Sequence, residues 1–411
     1  MVDVCSAPGL LPLSQALENM LSLIKPISDS EVIDISRSLG RILAEDITSP
    51  VNVPPNDNSA MDGYAFAEQS LLNSLTLTMI GRSMAGEPFQ GACQVGQCVR
   101  IMTGAKIPTG CDTVEMQENC HANDQQISFS STLNKGNNVR NQGEDIAVNQ
   151  QVFLKGRKLS TVDIGVLASL GIDKVHVFRK IKVALIATGD ELKKPQQVLA
   201  EGDIYESNSQ FLSAMLSTLG ADIIEFGIIK DDEQAIRSAF IKADELADVV
   251  ISSGGVSVGD ADYTKSVLEE LGEIAFWKIA MKPGKPFAFG TLPHSYFFGL
   301  PGNPVSAVVT AHQLALPALL TLQNSFYETP LILKARTTTL LKKSPGRMDF
   351  QRGIISHDSN GELNVTTTGS QGSGILTSMA AANCYIVLPL EQGRVAAGEW
   401  VNVQLFDKYL Q

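Results

Sequence analysis

The sequence predicts a multidomain protein of α/β plus β class: an open α/β sheet domain, a β-rich insertion, a small helical linking region and a C-terminal β-barrel or sandwich. Three observations point there. The 411 residues exceed what one hydrophobic core usually organises, so roughly two to four domains are expected. From 181 to 322, short apolar runs alternate with helical periodicity, the pattern of strands and helices in an open sheet. Outside that stretch the chain turns to short β-branched segments punctuated by Gly and Pro.

Each element has a local cause. Residues 13–24, 29–43 and 161–170 carry apolar side chains at helical spacing, which predicts a helical unit assembled from both sides of an insertion. Between 51 and 150 the chain is rich in Gly, Asn and short alternating segments, as expected of a β-rich insertion. Val183-Ala-Leu-Ile-Ala187 is a strand-length apolar run ending in Thr188-Gly-Asp-Glu191. Residues 208–219 follow as a helix with Gly220 as its C-cap. Residues 223–229 then read as a strand, Asp231-Asp232 as an N-cap and 234–246 as an amphipathic helix. Asp248-Val-Val-Ile-Ser252 feeds the glycine-rich turn Ser253-Gly-Gly-Val-Ser-Val-Gly-Asp-Ala-Asp262, with a helix over 263–271. Ser295-Tyr-Phe-Phe-Gly-Leu300 is the last strand, and Pro301-Gly-Asn-Pro304 opens a helix over 305–320 with proline in its first turn. The last 80 or so residues, broken by Pro330, Gly346, Gly353, Gly361 and Gly369, predict the barrel or sandwich.

Composition narrows the function. A net charge of −12 opposes broad affinity for nucleic acid or an anionic membrane, because both need a dominant basic field. Any anionic ligand therefore needs a local basic patch. No basic n-region precedes an apolar stretch at the N-terminus, and the first lysine is Lys25. Nor does any apolar run approach the roughly 18–20 residues of a membrane helix. A cytoplasmic protein is expected. Cys5, Cys93, Cys98, Cys111, Cys120 and Cys384 form no C-x-x-C pair and read as free thiols, although four of them fall between 93 and 120 beside His121.

In open α/β sheets, ligands bind outside the carboxyl ends of the strands, so the loops holding Glu191, Asp231, Gly254-Gly255, Asp262 and Asn303 should converge. Glycines let backbone N–H groups approach an anion, and the helix after them adds a favourable dipole. The same turn serves equally well as a tight connection. Lys278, Lys282 and Lys285 offer the local positive field, or else are solvated lysines. Glu191, Asp231 and Asp262 suit Mg²⁺, which prefers carboxylate oxygens together with phosphate. Asp231 fits an N-cap as well, and Asp262 a first-turn acid. In the insertion, Asp62-Gly63 is a hairpin signal of type I′.

Taken together, Asn58-Ser-Ala-Met-Asp-Gly-Tyr64, Ile101-Met-Thr-Gly-Ala105, Gly143-Glu-Asp145, Thr188-Gly-Asp-Glu191, Ser253-Gly-Gly-Val-Ser-Val-Gly259, Ala261-Asp-Tyr263, Met281-Lys-Pro-Gly-Lys-Pro286 and Pro301-Gly-Asn-Pro304 resemble the MoeA family of molybdopterin molybdenumtransferases, related to the E domain of gephyrin. The glycine-rich turn and Pro301–Pro304 alone would indicate only the wider molybdopterin-binding fold. Asp62-Gly-Tyr64 with its neighbours is more specific. The resemblance implies a molybdopterin-binding α/β domain at 10–29 and 181–329, a linking and dimerisation domain at 30–48 and 150–180, the insertion at 49–149 and the barrel at 330–411. It also implies a homodimer whose site lies between the α/β domain of one subunit and the insertion of the other.

By motif, Asp62, Glu191, Asp231 and Asp262 become the catalytic acids, the last three handling Mg²⁺. Thr103, Asp145, Gly254, Gly255, Ser257, Lys278, Lys282, Pro301, Asn303 and Pro304 become substrate-binding. The implied reaction inserts molybdate into adenylyl-molybdopterin and releases AMP. Implied partners are the molybdopterin adenylyltransferase and chaperones of apo-molybdoenzymes. Two rival functions are the preceding adenylyl transfer, and a molybdopterin carrier or scaffold without turnover.

Overall fold

The computed structural model describes residues 9–255, 263–325 and 329–411. It divides into two compact units, the first made of Met1–Glu31, Gly40–Ile42 and Phe178–Gln411, the second of Val32–Leu39 and Leu43–Val177.

The first unit is built on a six-stranded sheet. Four parallel strands run in the order Asp222–Ile229, Lys182–Thr188, Val249–Ser253 and Tyr296–Leu300, and Pro286–Thr291 and Glu273–Lys278 extend it antiparallel. Lys182–Thr188 is apolar without alternation because both its faces are covered. Val183 and Leu185 enter one core, with Leu13, Ala16, Met20, Leu212 and Leu216. Ala184 and Ile186 enter the other, with Ile236, Phe240, Val267 and Leu268. Each Val, Leu, Ile, Met or Phe buried there contributes about 1.5–3 kcal/mol. The helix Leu13–Leu23 thus belongs to this core. The chain leaves Lys182–Thr188 for the strand on one side and then crosses to the strand on the other, which makes the gap between Thr188 and Ser253 a topological switch point.

Among the described residues one helix, Pro304–Leu322, is long and apolar enough to cross a membrane, contrary to the expectation that no such run exists. It is 89% buried within this unit, and its apolar length is explained by being surrounded by core. Its middle turn, Ala311–Ala315, is a π-turn lying just before Pro317, which brings no N–H and crowds the carbonyl four residues back.

The C-terminal strands close into a ring, with Met348–His357, Leu363–Thr367, Ile332–Thr337, Trp400–Leu405 and Cys384–Leu388 each paired to the next and the last paired back to the first. This is the predicted barrel, here of five strands. Met281–Lys282 adds a short parallel strand to it, against Met348 and Asp349.

In the second unit, six strands are ordered Thr113–Met116, Gly63–Phe66, Gln97–Ile101, Thr76–Ser83, Gln126–Phe129 and Cys120–Asn123. The helix Thr161–Ser169 starts at a capping box of Ser160 and Asp163. Leu167 packs there with Leu43, Ile47, Phe153, Leu159, Val175 and Val177. Two expectations fail around this unit. Residues 29–43 hold the strand Ser30–Asp34 and a single 3₁₀ turn, Ile35–Arg37, rather than a helix. Val32, Ile33 and Ile35 are β-branched, and Gly40 turns the chain at φ +75°. Asp62-Gly63 is no hairpin turn, since Gly63 opens a strand paired on both sides. A Cβ there would stand 1.8 Å from the Glu115 carbonyl oxygen, so the glycine is there for close backbone approach. Cys93, Cys98, Cys111, Cys120 and Cys384 are free thiols, and Cys5 lies outside the described residues.

Candidate functional site

The carboxyl ends of the parallel strands open into a cleft of about 890 Å³ in the first unit. Beyond Thr188 the chain turns at Gly189, φ +146°. A Cβ on Gly189 would sit 2.7 Å from a carboxylate oxygen of Glu191, and so the glycine lets that side chain fold over the turn. Asp231 follows the next strand. Its neighbour Asp232 caps the helix Glu233–Leu246 by accepting from Ala235 N–H at 2.8 Å. The pair of aspartates is therefore divided: Asp232 holds the helix and Asp231 lines the cleft.

At the third strand end, Gly254 and Gly255 have φ of +93° and +64°. A Cβ on Gly254 would meet the Thr188 carbonyl oxygen at 2.7 Å, and one on Gly255 would meet Thr264 Oγ1 at 2.4 Å. Both positions require glycine. The fourth loop, Pro301 to Pro304, is tied in from two sides. Asn208 Nδ2 donates to Ser253 Oγ at 2.6 Å and to the Gly302 carbonyl at 2.8 Å, while Val305 N–H donates to the Ser373 carbonyl at 3.0 Å.

The cleft thus brings together Glu191, Asp231, Gly254, Gly255, Pro301, Asn303 and Pro304. Ser257 and Asp262 lie outside the described residues. Lys278 is exposed at the end of an edge strand. Lys282 pairs with Asp349 of the barrel at 3.6 Å. Neither lysine is among the residues that line the cleft. No three of His, Cys, Asp and Glu gather as a metal set among the described residues.

Sequence reasoning passed over several residues here. Glu206, Ser207 and Asn208 line the cleft, carried by an Asn-led helix start with no glycine to draw attention. Thr188 Oγ1, Asn208 Oδ1, Ser252 Oγ and Thr264 Oγ1 are buried without hydrogen-bond partners among the described residues, a concentration out of the ordinary because buried polar groups are nearly always satisfied. Arg352 is the largest fully buried side chain. Its Nε donates to Ser378 Oγ at 3.0 Å and Nη2 to the Gly372 carbonyl at 3.1 Å. Burial lowers its pKa, with Asp349 opposing. It stands behind the segment that reaches the cleft at Gly374. The lining itself holds Glu191, Glu206 and Asp231 with no lysine or arginine among the described residues.

In the second unit, Asp62 accepts from both the N–H and the hydroxyl of Thr103 at 2.7 Å. Those bonds, the backbone one first, lower its pKa below 3.8. Asp145 is exposed, its N–H donating to the Val53 carbonyl at 3.0 Å.

Comparison with known proteins covers nearly the whole chain. Residues 11–171 match the family described as MoeA N-terminal region (domain I and II), 184–321 a probable molybdopterin binding domain, and 334–406 the MoeA C-terminal region (domain IV). The chain is 45% identical to a molybdopterin molybdenumtransferase of Haemophilus influenzae, over 98% of this chain and all of that protein. It is 32% identical to gephyrin of Dictyostelium discoideum, over 97% of this chain and 63% of that protein. A crystal structure of the molybdopterin biosynthesis MoeA protein from Pyrococcus horikoshii is similar at a TM-score of 0.84 and 29% identity, covering 97% of this chain and 100% of that one.

Proposed function

Since the chain belongs to the MoeA family of molybdopterin molybdenumtransferases, we propose that it inserts molybdate into adenylyl-molybdopterin with release of AMP, the last common step of molybdenum cofactor synthesis. The observation that carries this reading is the cleft at the switch point. Two glycines there have no room for a side chain; among the described residues, the buried hydroxyls around them have no hydrogen-bond partner and two carboxylates have no side-chain hydrogen bond.

The residues divide the work by charge. Both the pterin pyrophosphate and molybdate are anions, so they must be met by N–H groups and cations. Gly254 and Gly255 present backbone to the pyrophosphate, Pro301, Asn303 and Pro304 shape the wall opposite, and Lys278, Lys282 and buried Arg352 supply positive field. Ser257 and Asp262 join this set by sequence alone. Glu191 and Asp231 are hard oxygen donors on a wall without lysine or arginine among the described residues, a donor set that fits Mg²⁺ held by one or two carboxylates plus substrate phosphate. When bound, Mg²⁺ supplies charge neutralisation and polarises a phosphate oxygen. The same proposal includes action in the cytoplasm, homodimerisation with Asp62, Thr103 and Asp145 contributed by the second subunit, and transient contact with the adenylyltransferase and with apo-enzyme chaperones.

The test is AMP release from adenylyl-molybdopterin, with and without molybdate and Mg²⁺. Release that depends on molybdate and is lost in Glu191→Gln is expected. Pterin binding without release would make the protein a carrier, and ATP-dependent adenylylation of molybdopterin would make it the preceding enzyme.

A further inference from the structure

We propose that Glu206 is the residue that reads the pterin, by accepting hydrogen bonds from the adjacent 2-amino and N3–H donors of its pyrimidinone edge. The inference rests on the function proposed above and adds an orientation for the substrate in the cleft.

Among the described residues three carboxylates line that cleft, and Glu206 differs from the other two. Glu191 and Asp231 arrive from loops at strand ends. Glu206 arrives from the segment between Ile204–Tyr205 and the helix Asn208–Leu219, and it is 8% exposed. It is held from both ends: its N–H donates to the Lys193 carbonyl at 2.9 Å, and its Oε1 accepts from Ser209 N–H at 2.8 Å. Oε1 keeps a second lone pair, and Oε2 receives no donor among the described residues. A carboxylate fixed this way, with one oxygen open to the cleft, is a preorganised acceptor.

Its surroundings select the ligand group. Leu192, Ile204 and Tyr205 line the cleft beside it. The Tyr205 hydroxyl donates to the Gln197 carbonyl at 2.9 Å, which anchors that ring. An apolar and aromatic wall with one buried acid suits a flat heterocycle that carries neighbouring N–H donors. The phosphate end is excluded by like charge and finds the N–H of Gly255, that of Gly254 being taken by the Leu300 carbonyl at 3.1 Å. Asn208, two residues on, joins the two regions by bonding Ser253 Oγ and the Gly302 carbonyl. The pterin's amino edge therefore points to Glu206 and the pyrophosphate to the glycine turn.

Glu206→Gln isolates the effect. Glutamine retains an oxygen to accept from Ser209 N–H, so the helix start is preserved, and it places an NH₂ where the pterin also brings donors. Binding of 6-hydroxymethylpterin, lumazine (which has a 2-oxo group in place of the 2-amino group) and AMP is measured on the full-length wild type and variant. Wild type should prefer pterin over lumazine by about 10- to 100-fold, the worth of one hydrogen bond to a charged group. Glu206→Gln should remove that preference while AMP binding is unchanged, and Glu206→Asp should restore part of it. A preference that survives in Glu206→Gln overturns the assignment, as does a variant that loses AMP binding or has a raised Mg²⁺ requirement with pterin selectivity intact. Molybdate-dependent AMP release measured alongside separates the two claims. Release without pterin selectivity in the wild type sinks only the role of Glu206, whereas selectivity without release sinks only the transferase reading.

Discussion

The cleft in the α/β sheet and the Asp62 turn in the β-rich insertion use acidic residues in opposite ways. At the carboxyl edge of the sheet, Glu191 and Asp231 face the cleft without side-chain hydrogen bonds among the described residues, and other acids of the same unit do structural work. Asp232 caps a helix, and Asp248, at the opposite edge of the sheet, accepts from Arg179 Nη1 and Nη2 at 2.7 and 2.8 Å. In the insertion, Asp62 is already held by two donors from Thr103. Acids left open by the fold are available to a cation or a ligand, whereas a pre-paired acid arrives with its orientation and charge set by the protein.

The largest effect that would sharpen this contrast is on turnover. Glu191→Gln should lower molybdate-dependent AMP release by about 100-fold or more, comparable to removing a preorganised electrostatic group, without lowering the melting temperature, because Glu191's carboxylate supports no other side chain. A large loss of stability would make it a structural acid. Next comes Gly255→Ala, which must place a methyl 2.4 Å from Thr264 Oγ1 at φ +64°. It should cost about 1–3 kcal/mol of stability and weaken pterin binding. An unchanged melting curve would show that the turn relaxes freely.

The α/β site was largely legible in the chain because its features are short-range. A strand run, a glycine turn and a helix start each occupy a few residues, and the carboxyl-edge rule assembles them. What stayed hidden depends on contacts distant in sequence. Asn208 becomes a clamp only when Ser253 and Gly302 are brought to it, and Arg352 matters only once the barrel is closed behind Gly374. Asp62-Gly63 misled because close approach to Glu115 and a hairpin turn select the same residue. Residues 29–43 misled because β-branched side chains at helical spacing also fit a short strand and a turn. Asp231 and Asp232 are equally good caps by sequence, and only the folded turn assigns the cap to Asp232.

Arg179→Ala tests the structural side. Burial raises the Asp248 pKa, but the Arg179 bonds and the Lys182 N–H outweigh it and hold the carboxyl below 3.8. A depressed carboxylate contributes stability above its unfolded pKa, and that contribution disappears as pH falls through the folded value. The variant should therefore lose about 1–3 kcal/mol at neutral pH, between an exposed and a buried pair, with the gap to wild type narrowing below about pH 4. A gap independent of pH would assign the loss to packing.

The smallest effect lies in the insertion. Thr103→Val removes the hydroxyl bond and leaves the backbone one, so the Asp62 pKa should rise part of the way to 3.8 when followed by NMR titration. No movement would mean that the backbone N–H alone sets it.

The division of labour at the sheet edge is most directly tested on two adjacent residues, by comparing Asp231→Asn and Asp232→Asn for molybdate-dependent AMP release and for melting temperature. Asparagine caps helices about as well as aspartate, so Asp232→Asn should remain active and stable, while Asp231→Asn should fold normally and lose turnover. Equal activity in the two variants, or inactivation by Asp232→Asn alone, would contradict the assignment of the cleft to the acids that the fold leaves open.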